Sequence, residues 1–160
     1  MTGVQAMHKL SAAPPYSYRA DAAVPAFADD RPLIVFDGVC VLCSGFARFV
    51  ARHDRHRQFQ FTAAQSRLGQ ALFRHYGLDP VNYETNLLVE DGRAFGKLDA
   101  FAAIMQRLGG AGRLAGVVRV LPRGLSDWAY DRIAQNRYRL FGRSATCVMP
   151  DATWRDRVIE

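Results

Sequence analysis

The sequence contains few cysteines and no long apolar segment, and each absence excludes a class of protein. Three cysteines among 160 residues are too few for the disulfide framework of a small secreted domain. No apolar run approaches the roughly 20 residues that a membrane-spanning helix needs. Prolines and charged residues interrupt the N-terminal stretch, which therefore lacks the apolar core of a secretory signal. We expect a cytoplasmic protein without a transmembrane segment.

A second group of closely spaced metal ligands is also missing. A structural zinc site usually combines two close pairs of cysteines or histidines. Here Cys40 and Cys43 form one such pair, while Cys147 stands far from them. The histidines are scattered, and His53 and His56 lie beyond the far end of the helix predicted after the cysteines. We therefore expect no metal site and no bound cofactor.

The composition is that of an ordinary soluble domain with a basic region. The chain is 49% hydrophobic and 22% charged, which suits one domain with a real core. Between residues 107 and 143, eight arginines face two acidic residues. Such an excess attracts nucleic acid, acidic partners or anionic membranes. A solvated helical face is the simpler explanation, so we expect no nucleic-acid partner and leave peripheral contact with a membrane open.

Alternating strand and helix patterns predict one α/β domain at 32–150, between a flexible leader at 1–31 and a tail at 151–160. The leader is rich in Ala and Pro and is expected to contribute little to the core. The order β-α-β-α-β-β-α predicts a three-layer sandwich of the thioredoxin type with a helical C-terminal extension. The predicted elements are a strand at 33–37, a helix at 40–52, a strand at 58–63, a helix at 66–77, a hairpin at 85–98, a helix at 99–110, and two further helices at 112–121 and 125–140.

Residues typical of caps and turns mark the ends of several elements. Ser66 is placed to cap the second helix, and Gly77 to end it. The pair Asp91–Gly92 is a strong turn signal within the hairpin. Asp99 is placed to cap the third helix. These signals support the predicted boundaries.

Cys40 and Cys43 lie where a strand gives way to a helix. The first cysteine then meets unpaired N–H groups at the positive end of the helix dipole. These groups stabilise a thiolate and lower the thiol pKa below its free value of about 8.5. Cys43 lies one turn later on the same face, so Cys40 is predicted to attack a disulfide and Cys43 to resolve the mixed disulfide. Redox chemistry is favoured, with a metal site and a purely structural pair as alternatives.

Asp37 and Gly38 precede the cysteines in the turn. Asp37 is a candidate proton acceptor for Cys43, and an equally good interpretation is that it caps the turn by accepting backbone N–H groups. Gly38 is expected to permit a tight turn that a side chain would obstruct. The residues beside the cysteines are aliphatic and supply no cation, which argues against strong additional stabilisation of the thiolate.

The stretch Asp37-Gly38-Val39-Cys40-Val41-Leu42-Cys43 resembles the D-G-x-C-x-x-C signature of the DCC family of thiol-disulfide oxidoreductases. Further matching stretches run in order through 33–150, at 65–66, 88–93, 108–110 and 130–143, with Cys147 after them. The resemblance implies a thioredoxin-like fold and thiol–disulfide exchange at the two cysteines of the signature. The implied partner is a disulfide-containing protein or a low-molecular-weight thiol.

One departure from thioredoxins proper lies before the third strand. Thioredoxins carry a cis-proline there, opposite the cysteines, whereas Thr85 or Asn86 stands at that point here. Without proline a cis bond would cost about 2.5–4 kcal/mol, so a trans bond is expected. Docking of a substrate against this loop is then expected to differ from docking in thioredoxin.

Arg137 and Tyr138 allow two interpretations. In the functional one they reach the cysteines, and Arg137 stabilises a thiolate or binds an anionic partner. In the structural one, which the sequence favours, aromatic and aliphatic residues dock the last helix and leave the arginines in water. Tyr138, Leu140 and Phe141 would supply that docking surface. Cys147 is interpreted as a small buried residue rather than a third redox participant.

A second hypothesis for the whole protein assigns no catalysis to the cysteines. The domain would then be a thioredoxin-like binding module whose basic C-terminal helices dock a partner or a membrane surface. The arginines of those helices and Trp128 would carry that function.

Overall fold

The computed structural model of this chain describes residues 10, 12–81, 83, 85–110, 113, 120, 122–144 and 152–160. Most of the predicted helix at 112–121 lies outside these residues, and so does Cys147. No helix within the described part of the chain is long and apolar enough to cross a membrane.

Strands and helices follow one another in the predicted order. The strands are β1 (Leu33–Phe36), β2 (Gln60–Ala63), β3 (Leu87–Glu90) and β4 (Arg93–Gly96). The α-helices are α1 (Val41–His53), α2 (Arg67–His75), α3 (Lys97–Leu108) and α4 (Arg123–Phe141). Short 3₁₀ helices lie at Ser17–Ala20 and Arg155–Arg157. This confirms the α/β class, compatible with the thioredoxin-like fold, and the helical C-terminal extension.

The four strands form one mixed sheet in the order β2-β1-β3-β4. β1 and β2 are parallel, as a strand–helix–strand connection allows, whereas β1–β3 and β3–β4 are antiparallel. Parallel pairing places Phe36 opposite Ala63 at the ends of the two strands. The turns that follow β1 and β2 therefore begin at the same edge of the sheet, and this edge carries the two cysteines.

Both faces of the sheet are covered, because successive residues of β1 point to opposite sides. Leu33 and Val35 pack with residues of α2 and of the N-terminal segment. Ile34 and Phe36 pack with residues of α1 and α3 and with Trp154. Three layers result, as predicted, with the sheet in the middle.

Most of the cap and turn signals are confirmed. The Ser66 hydroxyl accepts the N–H of Gly69 at 3.0 Å and caps α2. Asp91 and Gly92 both have positive φ, 49° and 74°, which is the pattern of a type I′ hairpin turn. The cap predicted at Asp99 is wrong, because α3 begins two residues earlier and Asp99 lies within its first turn.

Residues 12–31 pack against the domain, which differs from the expectation of a leader that contributes little to the core. Tyr18 is buried against α2 and the sheet, and the Tyr16 N–H donates to the Gly92 carbonyl at 2.8 Å. Asp21 pairs with His75 of α2 at 2.7 Å. A segment rich in Ala and Pro is attached here by a few aromatic and polar side chains, and such isolated contacts leave no periodic signal in the sequence.

Residues 152–160, expected as a tail, also contribute to the core. Trp154 is fully buried, and its ring meets that of Phe61 edge-on with centroids 5.0 Å apart. Val158 forms a parallel bridge with Phe61, and the Ile159 N–H donates to the Phe61 carbonyl at 2.8 Å. The segment thus meets the outer side of β2 at Phe61 through one bridge and one hydrogen bond.

Replacing Trp154 by Ala is expected to lower the free energy of unfolding by about 3–5 kcal/mol, because it empties a fully buried ring site. Trp128 is 62% exposed, so Trp128→Ala is a matched control with an expected change within about 0.5 kcal/mol. Urea unfolding followed by far-ultraviolet circular dichroism measures both. Equal losses in the two variants would contradict the burial of Trp154.

Candidate active site

The two cysteines lie at the start of α1, directly after β1 and its turn. Cys40 is the N-cap residue of α1, and Cys43 lies in the first turn of the helix. The Cys43 N–H donates to Cys40 Sγ at 3.3 Å, so this sulfur takes the place of the oxygen that usually caps a helix. The Cys40 sulfur therefore meets the positive end of the helix dipole.

Asp37 is buried just beyond β1 and accepts hydrogen bonds with both carboxylate oxygens. Oδ1 accepts the Val39 N–H at 3.1 Å and the side-chain amide of Gln65 at 2.7 Å. Oδ2 accepts from Arg137 Nη2 at 3.2 Å and from the Tyr138 hydroxyl. The bond from Val39 is the turn cap that was one interpretation of Asp37, and it leaves the interpretation as a proton acceptor open.

Helix α4 brings Arg137 and Tyr138 to this carboxylate. The favoured expectation, that the helix docks through apolar residues and leaves the arginines in water, is wrong for this part of α4. Arg137 is 4% exposed, whereas Leu140 and Phe141 are 65% and 46% exposed. The reason is electrostatic, since a buried carboxylate such as that of Asp37 is costly without a cationic or hydrogen-bonding partner.

The surroundings of the two thiols displace their pKa values in opposite directions. Hydrogen bonds from the Cys43 side chain and N–H, together with the charge of Arg137, lower the pKa of Cys40 to about 6 against the opposing effects of burial and Asp37. The pKa of Cys43 is raised, because its thiol donates to Cys40 and is itself buried. The residues beside the cysteines supply no cation, as the sequence shows, but the positive charge of Arg137 acts on both thiols. The cation comes from α4 rather than from the neighbouring sequence.

Gln65 belongs to this site, although it was not predicted as a site residue. Its Oε1 accepts the Gly38 N–H at 3.0 Å, while its amide donates to Asp37, so one side chain holds two residues of the turn. Gly38 is not among the described residues with positive φ, and its observed contribution is this backbone N–H. The pairing of β1 with β2 was the available signal, because parallel strands bring their following turns to one edge.

The loop before β3 meets α4 beside Cys43. The Thr85–Asn86 bond is trans, as predicted, since no peptide bond among the described residues is cis. The Thr85 hydroxyl accepts the Lys97 N–H at 2.7 Å, and the Asn86 N–H donates to the Tyr130 hydroxyl at 3.4 Å. Tyr130 interacts electrostatically with Cys43, and burial raises its own pKa. Tyr130 is thus a further residue near the thiols that was not predicted.

A short segment after α4, residues 142–144, lies over Cys40. Arg143 forms an antiparallel bridge with Cys40, and the Ser144 N–H donates to the Val39 carbonyl at 2.8 Å. The Arg143 guanidinium lies 4.7 Å from the centre of the Tyr138 ring. Cys40 is 0% exposed and Cys43 5%, so the Cys40 sulfur is covered in this structure.

The family comparison covers the two cysteines and the residues around them up to Arg143. The family model of DCC1-like thiol-disulfide oxidoreductases matches residues 34–143. The chain belongs to this family. The match includes both cysteines, Asp37, Gln65 and Arg137, and it supports a general thiol-disulfide oxidoreductase role. Within the described part of the chain, no three side chains of His, Cys, Asp or Glu gather as metal ligands.

Two relatives are similar to this DCC1-like chain over most of its length. A chloroplastic DCC family protein of Arabidopsis thaliana is 39% identical over 120 residues, which cover 74% of this chain and 70% of that protein. The uncharacterized protein YuxK of Bacillus subtilis is 32% identical over 127 residues, which cover 79% of this chain and 93% of that protein. No solved structure matches the chain.

Replacing Arg137 by Gln is expected to raise the pKa of Cys40, because it removes the positive charge beside both thiols. The rate of Cys40 alkylation by iodoacetamide at pH 6 should fall about two- to tenfold, and its pH midpoint should move upward. Arg139→Gln removes an exposed arginine of the same helix and should leave the midpoint at about 6. An unchanged midpoint in Arg137→Gln would show that this charge does not act on the thiol.

Proposed function

We propose that this protein exchanges a dithiol for a disulfide through Cys40 and Cys43. The partner is a disulfide-containing protein or a low-molecular-weight thiol. The opposite displacement of the two pKa values carries the proposal, with Cys40 lowered to about 6 and Cys43 raised. One thiol is then ionised at neutral pH while the other keeps its proton, which is the division that attack and resolution require.

In the reducing direction, the Cys40 thiolate attacks one sulfur of the partner's disulfide. A Cys40–partner disulfide forms, and the partner's other sulfur leaves as a thiolate. Cys43 then loses its proton and attacks Cys40 Sγ, which forms the Cys40–Cys43 disulfide and releases the partner's remaining sulfur. The partner gains two electrons, and its thiols take one proton from Cys43 and one from solvent. The protein loses two electrons.

The mixed disulfide itself prepares Cys43 for the second step. The first cause of the raised pKa of Cys43 is its hydrogen bond to the Cys40 sulfur. Once that sulfur is bound to the partner it carries no negative charge, so this cause disappears, while the positive charge of Arg137 still lowers the pKa. The Cys43 proton therefore leaves more easily after attack than before it.

Asp37 is the proposed acceptor of the Cys43 proton. Its charge acts on both thiols, and its Oδ2 already takes part in hydrogen bonds with Arg137 and Tyr138. Arg137, Tyr138 and Gln65 are then positioning residues, since they hold the carboxylate in place. Gly38 supports the same turn through its N–H.

A second candidate function is the non-catalytic binding module, and the exposed side of α4 favours it. Trp128 is 62% exposed and Ile133 50%, and Arg132 and Arg139 are exposed on the same helix. Basic and apolar side chains together suit an acidic partner or an anionic membrane surface. In this candidate, arginines outside the cysteine site carry the function.

The cytoplasm is the proposed compartment of the exchange. A reducing compartment keeps a close cysteine pair available as thiols, and the chain has too few cysteines for a structural disulfide framework. The Arabidopsis relative is named as chloroplastic, so the compartment differs within the family if the proposal holds.

A redox titration tests the exchange. Reduced protein is equilibrated in a series of redox buffers, its free thiols are alkylated, and the products are identified by mass spectrometry. We expect a Cys40–Cys43 disulfide that forms with a single midpoint potential. Cys43→Ser should accumulate a mixed disulfide with a partner, whereas Cys40→Ser should accumulate none. The matched control is the double variant Arg132→Gln/Arg139→Gln. It changes two exposed side chains away from Asp37 and should retain exchange.

Two outcomes would contradict this proposal. If no disulfide joins the two cysteines at any potential, they do not form a redox pair. If both cysteine variants retain the protein's function and the double arginine variant loses it, the binding module is the correct candidate.

Replacing Asp37 by Asn tests the proton acceptor. Asparagine keeps an oxygen that can accept the Val39 N–H, but it does not take up a proton. Release of a chromogenic thiol from the Cys40 mixed disulfide should slow about tenfold or more, and less at high pH, where hydroxide removes the Cys43 proton. Asp30→Asn changes a side chain that is 71% exposed and is the control. An unchanged release rate in Asp37→Asn would leave Asp37 with the turn cap only.

A further inference from the structure

We propose that the backbone edge formed by Val39 and Cys40 binds an extended segment of a partner polypeptide, and that residues 142–144 occupy this edge until the partner displaces them. The inference rests on the proposed exchange at Cys40. It adds the class of partner, a polypeptide with extended chain beside its disulfide, and the way in which that partner is held.

The burial of the nucleophile requires a movement. A sulfur of the partner's disulfide must come into bonding contact with Cys40 Sγ, yet Cys40 is 0% exposed. Its lowered pKa makes it reactive, but reactivity without access produces no exchange. Some part of the structure that covers Cys40 therefore moves before attack.

The 142–144 segment is the covering element that moves at the lowest cost. Cys43 and Ser44 of α1 also contact Cys40: the Cys43 N–H donates to its sulfur, and Ser44 bonds its carbonyl through its N–H and its hydroxyl. Moving them would unwind the first turn of the helix. Residues 142–144 are held by the bridge of Arg143 to Cys40, by the hydrogen bond from Ser144 to Val39 and by the stacking of Arg143 on Tyr138.

Gly142 provides a joint between α4 and this segment. Its φ is +84°, in the region that favours glycine, and among the described residues, apart from its two chain neighbours, no heavy atom lies within 4 Å of the position that a Cβ would occupy. The segment can therefore swing away from Cys40 without a clash at this residue, while α4 and its Arg137 stay in place.

The surface that this movement uncovers is suited to a polypeptide. The Val39 carbonyl loses its N–H donor when Ser144 leaves, and an unpaired strand edge of this kind pairs with an extended peptide. The seated 142–144 segment defines the register, with the incoming chain antiparallel and one of its residues opposite Cys40. Val41 and Leu42 are 48% and 37% exposed beside the edge, so apolar side chains next to the partner's cysteine are favoured.

Access to Cys40 is tested with two variants of one residue. Ser144→Pro removes the N–H that bonds Val39, whereas Ser144→Ala keeps it and is the matched control. In reduced protein the plateau rate of iodoacetamide modification at high pH should rise about three- to tenfold in Ser144→Pro, as the loss of one hydrogen bond permits. Ser144→Ala should remain at the wild-type plateau.

The pH midpoint of the same reaction separates access from thiol activation. In Ser144→Pro the midpoint should stay near that of the wild type, because the contacts of Cys40 with Cys43 and Arg137 are kept. Arg143→Ala removes the guanidinium stacked on Tyr138 and should also raise the plateau rate. It is the alternative variant if Ser144→Pro fails to fold. Wild-type plateaus in both variants would overturn the role of the 142–144 segment.

Binding of the partner backbone is tested with peptides that form a stable mixed disulfide with Cys40 in the Cys43→Ser variant. Two peptides carry the same cysteine activated as a mixed disulfide with thionitrobenzoate, and in one the residue after the cysteine is N-methylated. The N-methylated peptide should trap several-fold more slowly, while both react equally with free glutathione. Equal trapping would overturn the backbone pairing and favour a low-molecular-weight partner. Failure of the proposed exchange is distinguishable, because it appears as the absence of a Cys40–Cys43 disulfide in the wild type.

Discussion

The buried ion pair between Asp37 and Arg137 joins two parts of the chain that are 100 residues apart. A buried charge that lacks its partner costs several kcal/mol, so each residue constrains the position of the other. The pair ties α4 to the turn after β1 and leaves the other oxygen of Asp37 to Val39 and Gln65. Helix α4 lies outside the minimal sandwich, yet the cysteine site depends on it.

The same pair also acts on the two thiols, although the first cause of both displaced pKa values is the hydrogen bond between Cys40 and Cys43. Arg137 lowers the pKa values of Cys40 and Cys43, while Asp37 opposes it. Among the described residues, the buried Arg137 Nε has no hydrogen-bond partner, which is a cost to stability. The charge of Arg137 acts on two groups at once, the buried Asp37 carboxylate and the neighbouring pair of thiols.

The fold could be predicted from the sequence where elements repeat a local pattern. The apolar run of β1, the turn residues Asp91 and Gly92 and the cap Ser66 are signals that depend only on residues a few positions away, and all three are seen in the structure. The two ends of the chain were not predicted well. Tyr18 and Trp154 are buried as single large side chains in irregular segments, and burial of that kind depends on the surface that a distant part of the chain presents.

For the candidate site, the sequence by itself determined that two cysteines follow a strand and open a helix, which sets the helix dipole beside Cys40. Only the tertiary structure decided what surrounds them. Gln65 reaches Asp37 across 28 positions and Arg137 across 100, and Ser144 lies over Val39 at the end of α4. Local sequence patterns reflect interactions between residues that are close along the chain. The contact of Gln65 with Asp37 arises instead from parallel strand pairing, and that of Arg137 from the need of a buried charge for a partner.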